Sequence, residues 1–280
     1  MESTKQINLQ WKVLFGIFLA AFMLIIIFPF FWIVVTSIKP TSEIFGEGAY
    51  SIYAGSATLE HFYTVIFEKN ILRSVLNSFI VATVTTLYVV SIAILAAYAI
   101  SRFNFKGKNV LLGLILAISM FPQMIVVGPI YNLFTALNLT NSYFVVLPYS
   151  TITLPSAVWI MVTHFNNIPL ALEESAKIDG ATPFQTLSKI IFPLAAPGVF
   201  TTGIITFIAA WNEYLLTITL NTNTEYHTVP VAVSFLRNQF SILWGQVAAA
   251  TIVVTIPTLI MVLLFQKQIV SGLISGAVKE

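Results

Sequence analysis

Residues 167–198 read NIPLALEESAKIDGATPFQTLSKIIFPLAAPG and carry Glu173, Glu174, Lys177, Asp179 and Lys189 within an otherwise oily chain. Pro169 suits the first turn of a helix, where its missing N–H is not needed. Glu173 and Lys177 stand four apart, a spacing at which they can pair on one helical face. Asp179-Gly180 is a stop signal, because Gly accepts the left-handed conformation that ends a helix. Thr182-Pro183 restarts one, with Thr as N-cap and Pro at the first position. Phe184, Leu187, Ile190 and Ile191 then recur at helical spacing and predict one apolar face. Two short helices at a Gly elbow are thus expected. A short helix cannot hold its shape alone in water, so this pair needs something to pack on.

The rest of the chain says where that elbow stands. The sequence is 58% hydrophobic and 9% charged over 280 residues, with mean hydropathy +0.90. Runs of about 20 apolar residues suffice to cross a bilayer as helices. Six such runs fall at about Val13–Ile38, Val75–Ile100, Val110–Phe134, Tyr143–His164, Val199–Leu220 and Val247–Phe265. The expected fold is an all-α polytopic membrane protein with six transmembrane helices. The first run is too long for a cleavable signal and is expected to stay as a span. Leu59, Phe62, Tyr63, Ile66 and Phe67 repeat at helical spacing between the first two spans and predict an amphipathic helix near the membrane surface. The expected organisation is an N-terminal segment 1–74 with the first span and an extracytoplasmic loop, a permease-type core 75–266 and a cytoplasmic tail 267–280.

Six spans put both termini on one side, and the positive-inside rule chooses the side. With the N-terminus inside, Lys5, Lys12, Arg102, Lys106, Lys108, Lys177, Lys189, Lys267 and Lys279 are cytoplasmic. Lys39, Lys69, Arg73 and Arg237 are then outside. The elbow therefore faces the cytoplasm, where ATP is. Prolines 29, 122, 129, 148, 155 and 257 fall inside spans; each frees a backbone carbonyl and tends to kink its helix, either shaping the packing or serving a gate.

Several chemistries are excluded. Cysteine is absent, so disulfides, thiol catalysis and Cys-based metal sites are not available. His61, His164 and His227 lie far apart and give no metal-ligand spacing. A net charge of +2 does not suggest nucleic acid. No nucleophile and base stand together in the spans, as an intramembrane enzyme would need, and no phosphate-binding loop is present. An ion-driven carrier would keep ionisable groups at mid-membrane; the spans offer only Glu213, towards one end of the fifth.

The run EESAKIDGATPFQTLSKIIFPLAAPG resembles the cytoplasmic Glu-Ala-Ala loop of permease subunits in binding-protein-dependent ABC importers. The pattern falls on Glu174-Ser175-Ala176, then Asp179-Gly180-Ala181, then Phe192-Pro193, with Ser175 replacing the usual, similarly small Ala. NSFIVATVTTLYVVSIAILAAYAISRFNFKGKN is similar to the second span and following turn of carbohydrate-uptake permeases. WNEYLLTITL is similar to their fifth span and SGLISGAVKE to their tail. The likeness covers roughly residues 70–280 and is greatest to the smaller subunit of maltose-type transporters.

The resemblance implies a type I importer permease in a prokaryotic cell membrane. It implies a second permease, a pair of ATP-binding subunits that hold the ATP and Mg, and an extracytoplasmic sugar-binding protein. No cofactor is expected on this chain. The loop would be a coupling helix seated on an ATPase subunit, driving alternating access. Glu174, Ser175, Ala176, Asp179, Gly180, Ala181 and Pro193 are its candidate residues. Glu174 either anchors that helix or offsets its dipole; Asp179 serves the elbow or the next helix start.

For the pathway, Trp211, Asn212 and Glu213, with Tyr214, either line an outer gate or form an interfacial anchor. Gln123, Asn132, Tyr149 and Thr153 either meet a sugar or bond helix to helix. The tail from Ser271 either reaches an ATPase interface or ends in solvent. Related permeases carry disaccharides, oligosaccharides and polyol phosphates, so the solute is left open.

Replacing Gly180 by valine is expected to uncouple ATP hydrolysis from uptake while the chain still inserts. Normal sugar uptake by that variant would contradict the elbow reading.

Overall fold

The computed structural model describes residues 9–46, 48–52, 55–237 and 242–277. Lys5, Lys279 and the last three residues of the tail lie outside them. The chain divides into two compact units, Met1–Ile71 with Phe235–Ile256, and Leu72–Ser234 with Pro257–Glu280.

In the first unit, α1 (Leu9–Ile38) runs through Pro29 without a break. Its most apolar window is wholly uncovered by protein, as a lipid-facing helix should be. Its end is held differently. Lys39 is buried, and its ammonium group donates to the carbonyls of Gly48 at 2.9 Å and Ala49 at 3.4 Å and to that of Ser51, with the Trp32 ring 5.3 Å away. A buried ammonium needs acceptors, and the loop supplies them by curling around it.

His61 meets the Lys39 carbonyl at 2.9 Å. A Cβ on Gly245 would fall 2.2 Å from the same imidazole, so only glycine fits there. The expected amphipathic helix is a short turn, Glu60–Tyr63, continued as a π-helix, Thr64–Glu68. Its buried members are His61 and Val65, whereas Leu59, Tyr63 and Phe67 are exposed.

The second unit holds most of the spans. Its spanning helices are α2 (Ile71–Arg102), the pair α3 (Lys108–Ser119) and α4 (Gln123–Ala136), α5 (Val146–Asn166) and α7 (Pro183–Trp211), and the short helices α6 (Ala171–Ile178) and α8 (Leu215–Leu220) stand beside them in the chain. The last long helix, α9 (Trp244–Ala277), belongs to both units.

Its core joins Val89, Ala93, Ala97 and Ile100 of α2 to Ala157, Val158, Met161, Val162 and Phe165 of α5. Leu187, Ile191 and Ala195 of α7 complete it. The small residues on α2 let the helices approach, which is how membrane helices gain packing without a hydrophobic drive. Between α5 and α7 the fit is closest at Gly198, where a Cβ would stand 2.4 Å from His164 Cγ.

A polar knot closes one end of this core. Asn77, fully buried near the start of α2, donates to the carbonyls of Glu225 at 2.8 Å and His227 at 2.9 Å and accepts from Tyr143 Oη at 2.7 Å. Ser78 accepts from the Val229 N–H at 2.8 Å. Burial pulls the His227 imidazole below its usual range, with backbone bonds at Asn221 and Thr222 pulling the other way.

Two expectations are corrected. The third span is not one helix: α3 and α4 meet at 90°. The break falls before Pro122, in keeping with the bias against helical backbone that a proline puts on the residue ahead of it. The fifth span starts earlier and stops sooner, running from the elbow to Trp211, and α8 restarts after a gap. Helix α9 continues beyond the sixth apolar run to Ala277.

Among the described residues four helices are long and apolar enough to cross a bilayer, and the bent pair would make a fifth. Among the described residues the sole β pairing is an isolated bridge, Arg237 to Ile242.

Gly198→Val should overpack the α5–α7 contact, costing about 1–3 kcal/mol. A clear fall in the melting temperature of the detergent-purified protein is expected; an unchanged melt would show that His164 yields freely.

Candidate functional site

The elbow is built from two local motifs that follow one another directly in the chain, Ala176–Ala181 and Thr182–Gln185. At the end of α6 the Gly180 N–H bonds the Lys177 carbonyl at 3.1 Å and the Ala181 N–H bonds the Ala176 carbonyl at 2.9 Å. Gly180 sits at φ +83°. This is the paired 6→1 and 5→2 closure of a left-handed helix end, which costs glycine nothing. At the start of α7, Thr182 Oγ1 accepts from the Gln185 N–H at 3.3 Å while Gln185 Oε1 accepts from the Thr182 N–H at 2.8 Å. That is a reciprocal capping box with Pro183 just inside it. Sequence neighbours therefore fix the bend.

Around the bend, Glu174, Ser175, Asp179, Gly180 and Pro193 are exposed, Ala181 is half-buried and Ala176 is buried. Asp179, Gly180, Ala181, Gln185, Lys189 and Ile190 line a shallow depression. Ile178 is 86% exposed and Phe184 74%, so two large apolar side chains stand bare beside the bend. The expected apolar face keeps Leu187 and Ile191 inside and Ile190 half-buried, but turns Phe184 outward. The second elbow helix is not short, because it is the head of α7. Within α7 a π-helical turn, Leu187–Ile191, precedes Pro193. Pro193 has no N–H to continue the regular ladder, and the wider turn absorbs the gap.

Glu173 does not pair with Lys177. It turns inward and forms an ion pair with Arg102, the last residue of α2. Tyr98 Oη donates to its other oxygen at 3.4 Å, and Arg102 Nη2 donates to the Ile168 carbonyl at 3.2 Å. A buried guanidinium needs a counter-charge more than a surface lysine does, which decides the competition. Sequence reasoning assigned Arg102 only to topology. The usable signal was an Arg closing an apolar run while a doubled carboxylate stood in the elbow.

At the gap between α7 and α8 stands Glu213, 7% exposed. It does not lie well inside a span; it caps α8. Its oxygens accept from the N–H groups of Leu216 at 2.7 Å and Thr217 at 3.2 Å and from Thr217 Oγ1 at 3.4 Å. Gln123 Nε2 donates to it at 3.0 Å from the first residue of α4. Tyr149 Oη bonds the Thr217 hydroxyl. Thus Gln123, Tyr149 and Glu213 come together, joined by Thr217, which sequence reasoning missed although Glu213 and Thr217 stand four apart.

The other candidates do not join them. Thr153 is buried and bonds the Tyr149 carbonyl within α5 at 2.9 Å, and Asn132 is exposed. Trp211 stacks on Phe207 at 5.8 Å, while exposed Asn212 bonds the Ile208 carbonyl at 2.8 Å. In the crook of the α3–α4 bend lies a cavity of about 330 Å³ lined by Ser119, Phe121, Gln123 and Thr151 among others. Among the described residues no three His, Asp or Glu side chains are grouped to hold a metal.

Residues 89–273 match the family described as binding-protein-dependent transport system inner membrane component. The trehalose/maltose transport system permease protein MalG of Thermococcus litoralis is 40% identical over 260 residues, covering 91% of this chain and 92% of that protein. The sulfoquinovosyl glycerol transport system permease protein SmoH of Agrobacterium fabrum is 37% identical over 265 residues, covering 94% and 93%. A solved bacterial ABC transporter involved in import of the acidic polysaccharide alginate shares the fold, with TM-score 0.73 at 22% identity over 95% of this chain and 99% of that one. The chain belongs to the inner-membrane components of binding-protein-dependent ABC importers: it is a multi-pass cell-membrane permease, a transport subunit and not an enzyme.

Proposed function

We propose that this permease carries a sugar, and that its elbow is the coupling helix that receives motion from an ATPase subunit. The observation that carries this reading is the elbow itself. Its bend is fixed by its own hydrogen bonds, yet Ile178 and Phe184 are left uncovered. Preformed shape with bare apolar side chains suits a docking site, since little ordering remains to be done on binding. In this reading Glu174, Ser175 and Asp179 meet the partner, Gly180 permits the close bend, Ala176 and Ala181 seat the helix, and Pro193 sets the turn above it.

The proposed topology keeps six spans with both termini cytoplasmic, the bent α3–α4 pair counting as one. The core is residues 75–266. A second permease completes the pathway, an ATP-binding pair holds the ATP and Mg, and a binding protein delivers the solute outside. Sugar as the solute is supported by the relatives, whose names specify trehalose/maltose and sulfoquinovosyl glycerol.

The outer gate is proposed where the two broken spans meet. Gln123 and Glu213 stand at the two breaks and bond each other, with Tyr149 attached through Thr217. Trp211 and Asn212 flank the gate. Thr153 and Asn132, which lie apart from that cluster, are kept as candidate pathway groups. A break can move only if the backbone groups it frees stay satisfied, and Glu213 satisfies two of them.

In proteoliposomes holding this chain, a second permease, the ATPase pair and the binding protein, sugar uptake should require ATP and the binding protein together. Uptake by this chain alone, or uptake following an ion gradient, would refute the proposal. Gln123→Leu should raise ATP-independent sugar leak, because it cuts the tie between the breaks without removing the cap on α8. A leak equal to wild type would remove Gln123 from the gate.

A further inference from the structure

We propose that the Arg102–Glu173 ion pair is the strut that makes the elbow and α2 move as one body, so that both are positioning residues for coupled transport. This inference rests on the coupling reading above and names what transmits the motion.

α6 spans about 12 Å, two turns, too short to keep its place unaided. Only Ala176 on it is buried, and the element it packs against most is the head of α7, its neighbour in the chain. Motion given to α6 would be lost in that hinge unless a second element held it. Arg102 and Glu173 supply the hold. Their side chains are 6% and 14% exposed, so water does little to loosen them. The guanidinium grips the Glu173 carboxylate and also the Ile168 carbonyl, at the linker leading into α6. Two acceptors at a fixed angle are what a planar fork can serve and a lysine cannot. One turn back on α2, Tyr98 reaches the remaining carboxylate oxygen. Tyr98 itself is wedged edge-on against Phe103 and Phe165.

The two helix ends reinforce the pair. Arg102 closes α2, where a cation offsets the carbonyl end of the dipole, and Glu173 lies in the first turn of α6, where an anion offsets the amide end. Asn77, in the knot at the other end of α2, lies about 38 Å away at 1.5 Å per residue, more than the hydrocarbon thickness. Pushing α6 therefore moves a rod whose far end is tied to the loops at Tyr143 and Glu225–His227.

The test uses the complete transporter in proteoliposomes, with sugar uptake and ATP hydrolysis measured side by side. Arg102→Glu and Glu173→Arg should each assemble and hydrolyse ATP, yet lower sugar moved per ATP by at least about tenfold, since two like charges then face each other where the buried pair stood. The double variant Arg102→Glu with Glu173→Arg should return that ratio to within about threefold of wild type. Arg102→Gln and Glu173→Gln form a milder second arm that decides the matter where a reversed charge blocks assembly. They should also lower the ratio. Single variants at the wild-type ratio, or a double variant no better than the singles, would overturn the strut. If wild-type uptake itself needs no ATP, the importer reading fails instead, and the two failures are told apart within one experiment.

Discussion

A backbone inside hydrocarbon must satisfy every N–H and C=O from within the protein, and this constraint governs where the chain is allowed to bend. Unbroken helices meet it automatically. Each interruption must be matched by a polar group, and three buried side chains serve that purpose here. Glu213 restarts α8 and holds the head of α4 through Gln123. Asn77 gathers two loop carbonyls at the end of α2. Lys39 does the same for three carbonyls beyond α1. In each case one side chain does for several backbone groups what a ladder would otherwise do.

The elbow solves a different problem, that of a bend outside the oily region whose shape must not vary. Here local motifs suffice, because the left-handed helix end and the capping box lie within a few residues of each other. Locally fixed structure reads well from sequence. The stop at Asp179-Gly180 and the restart at Thr182-Pro183 stand where the residue types place them. The resemblance of this stretch to the importer loop agrees with the family to which the chain belongs.

Long-range choices were not legible. Glu173 had a partner one turn away in Lys177 and took Arg102 instead, because burial of the guanidinium outweighs a solvated pair. Glu213 read as a residue within a span; nothing in its neighbours announced that the helix stops at Trp211. Pro122 and Pro129 read alike, yet one breaks a helix at 90° and the other sits inside one. Gln123, next to Pro122, bonds Glu213, a contact that no local pattern announces. Phe184 matched the apolar spacing and still points outward, since a periodic pattern cannot tell a core face from a face kept for a partner. Of the pathway candidates, spacing could not foresee that Gln123 and Tyr149 would gather at Glu213 while Asn132 would not.

The proposed mechanism therefore has a lever of fixed shape on the cytoplasmic side and polar junctions that let the spans rearrange. Its central claim is that the elbow touches an ATPase subunit. The chain has no cysteine, so Asp179→Cys carries the sole thiol. A bifunctional crosslinker at that position, applied to the assembled transporter in membranes, should trap one ATPase subunit and release it when the linker is cleaved. Crosslinking only to lipid or to other membrane proteins, in a transporter still driven by ATP, would contradict the account.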